Sequence, residues 1–270
     1  MSTRRLRPAL AAGVALLAAQ AAAAQGSLAR RVEAAPDGDV RFSFAAREGV
    51  CGYEHGIGIR EHRRAGRTTI YHGDFSAARG EWEDEDCVDG PVYLSLRVAD
   101  GRVGEVEVRV ARPFRDRGAR VTELGRVGTA EAARYLVSLA ERSGGKVGEE
   151  ALFPATLADS VTLWPELLRL ARTESPRARR SATFWLGQAA TEAVTRSVRD
   201  PGGDDAGREV RKKAVFALSQ RPRDEGIPEL LRVARTHRDP EVRGAALFGL
   251  GQSGDPRALD LFEEILRGRN

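Results

Sequence analysis

The sequence has few of the residues that most often carry chemistry. Its 270 residues include only two cysteines, four histidines and one methionine. It contains no Gly-x-Ser-x-Gly nucleophile elbow, no His-Glu-x-x-His zinc motif, no phosphate-binding loop and no dinucleotide fingerprint, all of which have recognisable spacings. These absences disfavour the common hydrolases, metalloproteases and nucleotide-dependent enzymes. We therefore predict no catalytic residue, no cofactor and no resident metal.

Long hydrophobic runs are absent except at the N-terminus. There, Arg4, Arg5 and Arg7 precede an uncharged segment from Ala9 to Ala24 that ends in alanines. A basic start, a short apolar stretch and small residues at its exit are typical of a secretory signal peptide. The segment is shorter than the ~20 apolar residues that span a bilayer. We predict that residues 1–24 are removed on export, and that the mature chain is periplasmic or secreted with no membrane insertion.

The mature chain also has almost no net charge. The full chain has 43 basic and 39 acidic side chains, and three of the basic ones lie in the predicted leader, which leaves +1. Proteins that bind nucleic acid concentrate positive charge on one face. A nucleic-acid partner is therefore not predicted.

Composition divides the mature chain into two parts. Residues 38–112 are rich in valine, glycine, threonine and acidic turns, whereas residues 127–270 are rich in alanine, leucine, arginine and glutamate. We predict a β domain over 38–112 and a helical domain over 127–270. The segments 25–37 and 113–126 are predicted to be linkers.

Alternating apolar residues predict a β-hairpin at the end of the first part. Val92, Leu94, Leu96 and Val98 would share one face, and the pattern resumes with valines after Gly101. A three-residue loop, Ala99–Gly101, would keep the apolar faces in register by pairing Leu94 with Val106 and Val92 with Val108. Weaker strands are predicted at 40–45, 56–60 and 67–72, which together give a small antiparallel sheet, sandwich or barrel.

The two cysteines, Cys51 and Cys87, are predicted to form a disulfide, because an even count in an exported chain favours one. Such a bond would contribute about 3–4 kcal/mol by constraining the unfolded chain. A zinc site that uses Cys51 with His55, His62 and His72 is the alternative. Structural zinc sites usually have closely spaced ligand pairs, and that spacing is missing here.

An acidic segment, Glu81–Asp89, partly resembles a calcium loop. It lacks the acidic residue at the fifth position and the closing glutamate. The sequence favours a solvated loop and leaves calcium binding open.

The C-terminal part contains a repeat with a period of 32 residues. The segments 178–188, 210–220 and 242–252 align without gaps, and a second pair of segments, 164–173 and 227–236, match almost residue for residue. Five columns are identical in all three copies: Arg179/Arg211/Arg243, Ala182/Ala214/Ala246, Phe184/Phe216/Phe248, Leu186/Leu218/Leu250 and Gln188/Gln220/Gln252.

Each copy is predicted to contain two helices with one apolar face each. The predicted faces are Val210, Ala214, Ala217 and Leu218 in the first helix, and Ile227, Leu230, Leu231 and Ala234 in the second. Neither helix can bury its face alone, so neighbouring copies must stack.

The repeat is interrupted after its first copy. Residues 189–207 lack the pattern of the second helix, and Asp200–Asp205 is predicted to be a mobile loop because proline and paired glycines disfavour helix there. Upstream, residues 129–142 and 149–160 are predicted to be diverged helices that cap the array.

The motif from Asp239 to Gly251, Asp-Pro-x-Val-Arg-x-x-Ala-x-x-x-Leu-Gly, resembles the short HEAT-like repeats first named for phycobilin lyases. The resemblance covers about residues 160–270. It implies a right-handed α-solenoid that binds proteins, whereas lyase members need a separate chromophore site. The expected fold class is therefore α+β, with a small antiparallel β domain followed by an α-α solenoid of HEAT-like repeats.

Two sets of repeated residues are candidates for binding a protein partner. At about 100° per residue, Phe216 and Gln220 point away from the predicted core face, so the phenylalanine and glutamine columns would form an outer stripe: Phe184, Phe216, Phe248, Gln188, Gln220 and Gln252. The alternative is that the rings only pack between adjacent first helices. If the rings are not used for that packing, the stripe would dock either the β domain of the chain or another protein.

Arginines form the second set. Arg169 and Arg172 recur as Arg232 and Arg235, each pair following a glutamate, Glu166 or Glu229. They would form either a basic surface for an acidic partner or pairs with those glutamates. The invariant Arg179, Arg211 and Arg243 are expected to pair with a turn aspartate such as Asp224 or Asp255.

These features together predict an exported, non-enzymatic protein–protein interaction scaffold. The alternative is a lyase-like or other enzyme with a site between the β domain and the solenoid. A metal-binding β domain that uses the solenoid as a spacer is a third interpretation.

Overall fold

A computed structural model describes residues 27–53, 56–60, 68–73, 87–115, 118, 120–143, 145–196 and 205–268. The predicted leader, His55, His62 and the acidic residues 81–86 lie outside the described residues. So does most of the predicted loop at Asp200–Asp205, although Asp205 itself begins a helix.

The described strands of the N-terminal part form two four-stranded sheets. One has the order β7-β6-β1-β8 and the other β4-β3-β2-β5. The antiparallel β architecture and the three weaker predicted strands are confirmed. The strands are β1 Gly38–Phe44, β2 Val50–Gly52, β3 Gly56–Arg60, β4 Thr68–Gly73, β5 Val88–Asp89, β6 Val92–Ala99, β7 Arg102–Val110 and β8 Val121–Arg126.

The predicted three-residue loop between β6 and β7 is wrong. Asp100 and Gly101 form a two-residue turn, with φ of 51° and 68° respectively, which is the conformation that Asp-Gly favours in hairpins. Leu94 pairs with Val108, and Leu96 with Val106. A bulge leaves Gly104 unpaired in this ladder, and this extra residue restores the register of the apolar faces.

Both segments predicted as linkers contain regular structure. Residues Leu28–Glu33 form helix α1, whose Leu28 and Val32 are buried. Strand β8 lies within 113–126 and pairs in parallel with β1. β8 carries no alternating apolar pattern, and its residues are exposed or half-buried, so the sequence contained no periodic signal for it.

The helices of the C-terminal part follow β8 along the chain. They are α2 Thr129–Ser143, α3 Gly145–Thr156, α4 Trp164–Ala171, α5 Pro176–Arg196, α6 Asp205–Ser219, α7 Arg223–Thr236, α8 Pro240–Ser253 and α9 Leu259–Arg267, with a 3-10 turn at Pro256–Ala258. Helices α5, α6 and α8 carry the three copies of the first-helix motif. The predicted capping helices correspond to α2 and α3.

A large hydrophobic core extends through both parts, from Leu28 to Leu266, and a small separate cluster contains Cys51, Tyr53 and Cys87. At the junction, the rings of Phe42 and Tyr135 meet edge to face, with centroids 6.3 Å apart. The Arg47 side chain donates to the Thr156 carbonyl at 3.1 Å and pairs with Glu192 at 3.0 Å. The β sheets are therefore fixed to α2, α3 and the end of α5.

The repeats are not stacked in chain order. Helix α5 packs along α8, and α6 packs on the other side of α8. Gly251 of α8 faces α5 and Gly249 faces α6. Helix α9 packs on α5 and on α4, where Arg172 Nη2 lies 2.7 Å from Glu263 Oε2. The spatial order is therefore first copy, third copy, second copy.

Two sequence features account for this order. Residues 189–196 continue α5 instead of forming a second helix for the first copy. Helix α9 packs on α5 in the place where such a second helix would lie. A Cβ on Gly187 would lie only 2.6 Å from the Cα of Gly251. This crossing requires glycine, and the second copy has Ser219 in that column.

The predicted core face of α6 is only partly correct. Ala214 and Ala217 are exposed, Leu218 is half-buried and Val215 is buried, whereas the side chain of Val210 lies outside the described residues. Ala182 and Ala246, which occupy the same column as Ala214, are fully buried. The physical reason is that α6 lies at the end of the array, where only one of its flanks is packed.

Candidate functional site

The phenylalanine column forms a row of rings of increasing exposure. Phe184 is half-buried, Phe248 is 37% exposed and Phe216 is 65% exposed. The Phe184 ring meets Trp185 edge-on at 4.9 Å and Phe248 at 6.3 Å, measured between centroids. Phe184 thus takes part in packing between first helices, as the packing alternative expects, whereas Phe216 remains open to solvent.

Sequence reasoning missed two members of this aromatic cluster. Trp185 stacks on Phe153 of α3, with centroids 5.4 Å apart. Trp185 occupies a column that holds Ala217 and Gly249 in the other copies. A tryptophan that replaces small residues in a repeat column was the signal available in the sequence.

The glutamine column borders the rings. Gln220 and Gln252 are exposed, and Gln188 is half-buried. The Gln220 amide donates to Ser219 Oγ at 3.3 Å. Rings and primary amides side by side can cover the apolar side chains of a partner and hydrogen-bond its backbone. We call the six residues of these two columns the Phe/Gln stripe.

Three of the four candidate arginines already pair with carboxylates. Arg169 makes a two-pronged contact with Glu141 of α2, with one distance of 3.0 Å. Arg172 binds Glu263, and Arg232 binds Glu229 three residues earlier. Hydrogen bonds from Arg169 and Arg232 lower the pKa of Glu141 and Glu229. Arg235 is exposed on α7.

These pairs weaken the idea of a basic surface. A guanidinium held by a carboxylate presents little net charge to an acidic partner. The predicted pairing within a helix occurs for Arg232, whereas Arg169 and Arg172 bind acids of other helices.

Arg243, the third member of the invariant arginine column, differs from its predicted role. Arg243 donates to the backbone carbonyls of His237 and Arg238, at 2.9 and 3.3 Å, and so ties the start of α8 to the preceding turn. Asp255 instead binds the side chain of Arg257 at 2.9 Å, and this hydrogen bond lowers the Asp255 pKa. The side chain of Arg211 lies outside the described residues.

Cys51 and Cys87 form the predicted disulfide, with their Cα atoms 5.4 Å apart. Both residues are buried, and the bond connects β2 to the start of β5. Cys51 therefore has no thiolate to offer a metal. Among the described residues, no group of three His, Cys, Asp or Glu side chains is placed to hold a metal ion.

The junction between the sheets and helices, where the enzyme alternative would place a site, contains the Phe42–Tyr135 ring pair and the Arg47–Glu192 ion pair. Burial raises the pKa of Tyr135 to about 12, so this phenol stays protonated at neutral pH. A cavity of about 260 Å³ lies elsewhere, between α6, α7 and α8. Its Arg221 contacts Glu225 and its Arg223 donates to the Ser253 carbonyl.

Within the part of the chain that the structure describes, none of the helices combines the length and the apolar character needed to cross a membrane.

Comparison with known proteins gives one family match, in the C-terminal part. The HEAT repeats family matches residues 203–270, which contain the second and third copies of the motif. This confirms the HEAT-like repeats expected there. No curated protein matches the chain, and no solved structure does.

Proposed function

We propose that this protein is an exported, non-enzymatic scaffold that binds another protein through its Phe/Gln stripe. The observation that carries the proposal is the exposure of Phe216 and Phe248 in a column repeated three times. HEAT repeats commonly mediate protein interactions, because stacked helix pairs create extended binding surfaces. Aromatic side chains, phenylalanine among them, are enriched at protein interfaces relative to the rest of the surface.

The stripe favours a partner with an apolar segment over an acidic one. Its rings offer apolar area and its amides offer hydrogen bonds, whereas three of the four candidate arginines are paired with Glu141, Glu263 and Glu229. We therefore place the partner's contact on the stripe and not on the arginine surface.

Export is supported by two independent features. The basic and then apolar N-terminus has the order of a signal peptide. The Cys51–Cys87 bond is of a kind that persists in oxidising compartments. Cell fractionation with mass measurement of the recovered chain tests export, and the expected mature N-terminus is Gln25.

Partner binding is tested by capture from the envelope fraction with the tagged full chain as bait. Phe216→Ser and Phe248→Ser should lose the same captured protein that the wild type retains, because the rings would be covered in the complex. Val88→Ser is the matched control, since Val88 is also an exposed apolar side chain but lies on β5.

The proposal fails if both phenylalanine variants retain every partner of the wild type. It also fails if Val88→Ser loses the same protein. Circular dichroism of each variant must show an intact helical content, which is expected because Phe216 contributes little buried area.

A further inference from the structure

The cavity between α6, α7 and α8 adjoins the Phe/Gln stripe. Gln252 of the stripe lines the cavity, and so does Ser219, whose Oγ accepts a hydrogen bond from the Gln220 amide. Its volume of about 260 Å³ is below the ~300–1,000 Å³ of pockets for drug-sized ligands. The space therefore suits a single amino-acid residue of a partner.

A difference between the copies accounts for this opening. Ser219 stands in the column that holds Gly187 and Gly251 in the other copies. The two glycines bring α5 and α8 into close contact, whereas a Cβ on Gly249 would lie 3.4 Å from Ser219 Cβ. The serine side chain thus keeps the ends of α6 and α8 apart, beside the start of α7.

The floor of the cavity is apolar. Ile227 and Leu230 of α7 line it, and both are buried. Gly226 closes the side toward α6, because a Cβ there would lie 2.5 Å from the Leu218 carbonyl oxygen. An apolar side chain that enters the cavity would rest on these residues and lose its contact with water.

The mouth of the cavity carries positive charge. Arg223 donates through Nη2 to the Ser253 carbonyl at 2.7 Å, which fixes its guanidinium between α7 and α8. A carbonyl does not neutralise a guanidinium, which has further N–H groups to donate. The nearby carboxylate of Asp255 is held through both oxygens by Arg257, at 2.9 Å each.

A second arginine, Arg221, lines the same cavity. It makes a long contact of 3.8 Å with Glu225, and both side chains are 60% exposed. Exposed pairs of this kind are weak, so Arg221 can turn toward an anion. The cavity thus combines an apolar floor with cations at its mouth.

We propose that the cavity binds the C-terminal residue of a protein partner, with its apolar side chain on Ile227 and Leu230 and its carboxylate on Arg223. Arginine binds carboxylates through paired hydrogen bonds. A C-terminal residue carries an apolar side chain and a carboxylate on the same Cα, as this small cavity requires. An acidic side chain lacks the apolar group, and an internal apolar residue lacks the charge.

This inference deepens the proposed function, and it rests on that function for the statement that the ligand is a protein partner. Because Gln252 belongs both to the cavity and to the Phe/Gln stripe, the partner's chain would leave the cavity along the stripe.

Titration of the full chain with N-acetyl-leucine, followed by amide chemical shifts in NMR, tests the site. N-acetyl-leucinamide lacks the charge, and N-acetylglycine lacks the apolar side chain. N-acetyl-leucine should cause saturable shifts around Gly226 and Gln252, and should bind more tightly than its amide by about three- to fivefold, as expected for an exposed charge pair. The absence of saturable shifts there overturns the proposal, and so does equal binding of either control compound.

Substitutions at Arg223 separate charge from hydrogen bonding. Arg223→Gln keeps a donor for the Ser253 carbonyl but loses the charge, so it should bind N-acetyl-leucine and its amide alike, and Arg223→Lys should restore the preference. Arg238→Gln is the matched control, because Arg238 is exposed in the turn at the opposite end of α7. Retention of the preference by Arg223→Gln contradicts the assigned role.

Capture from the envelope fraction distinguishes this inference from the proposed function. Arg223→Gln should lose the same protein as Phe216→Ser. If Phe216→Ser loses that protein and Arg223→Gln retains it, the stripe functions without the cavity and this inference is wrong. If Arg223→Gln loses a protein that both phenylalanine variants retain, and the compounds bind as expected, the inference stands and the proposed function of the stripe fails.

Discussion

Gly187 and Gly251 allow α5 and α8 to cross at close range. A Cβ added to Gly251 would lie 3.0 Å from the Gly187 Cα and 3.1 Å from the Phe184 carbonyl oxygen. A Cβ on Gly249, in the same helix, would meet nothing closer than Ser219 Cβ at 3.4 Å. The two positions therefore separate the effect of crowding from the gain in helix propensity, which alanine brings to both.

We expect Gly251→Ala to be less stable than Gly249→Ala by about 1–3 kcal/mol, the usual cost of overpacking. Urea unfolding followed by circular dichroism measures the difference. Equal stability of the two variants would show that the crossing does not require glycine at residue 251.

Tyr135 is a second residue whose behaviour follows from its burial. It lies on α2 with its ring against Phe42 of β1, and loss of hydration raises its pKa to about 12 against the opposing effect of Arg142. In the unfolded chain the phenol ionises near its ordinary value of 10.0. Because the folded pKa is the higher one, the stabilisation is present below pH 10 and is lost as the pH rises from 10 to about 12.

Phenolate absorbance during an alkaline titration should therefore show a late step that disappears in Tyr135→Phe. The variant should also lose less stability over that pH range. Tyr93→Phe, on a half-buried strand residue, serves as the control and should keep the late step. If every tyrosine of the wild type ionised near pH 10, a buried environment for Tyr135 would be excluded.

At the scale of single elements, the sequence predicted the helices and strands that have a periodic pattern of residues. The 32-residue repeat located α5, α6 and α8, and alternation located β6. The turn at Asp100-Gly101 was misjudged because one unpaired residue, Gly104, changes the register without changing the pattern. Strand β8 was missed because it pairs with β1 mainly through backbone hydrogen bonds, with half-exposed side chains that leave no period.

The disulfide is the element-scale feature with the clearest energetic consequence. It closes a separation of 36 residues and joins two short strands, β2 and β5. We expect the double variant Cys51→Ser, Cys87→Ser to lose about 3–4 kcal/mol of stability. Reductant should lower the unfolding midpoint of the wild type and leave that of the double variant unchanged. A wild type that is insensitive to reductant while its thiols become free would contradict this expectation.

At the scale of the whole molecule, repeat identity could not reveal the stacking order. The five invariant columns are the same in every copy, so each copy can in principle neighbour either of the others. The information lies in what differs: the missing second helix after α5, and the serine at residue 219 where the other copies have glycine. For the same reason, the sequence placed Ala214 in the core, whereas its position at the end of the array exposes it.

The order can be tested with pairs of cysteines in the phenylalanine column. Phe184→Cys with Phe248→Cys should cross-link within one chain, because these side chains meet across the α5–α8 joint. Phe184→Cys with Phe216→Cys is the matched control, since α8 separates α5 from α6. A short bismaleimide reagent applied to dilute protein avoids links between copies, and peptide mapping identifies the joined residues. If the array followed chain order, the second pair would link and the first would not, because α6 would then lie between α5 and α8.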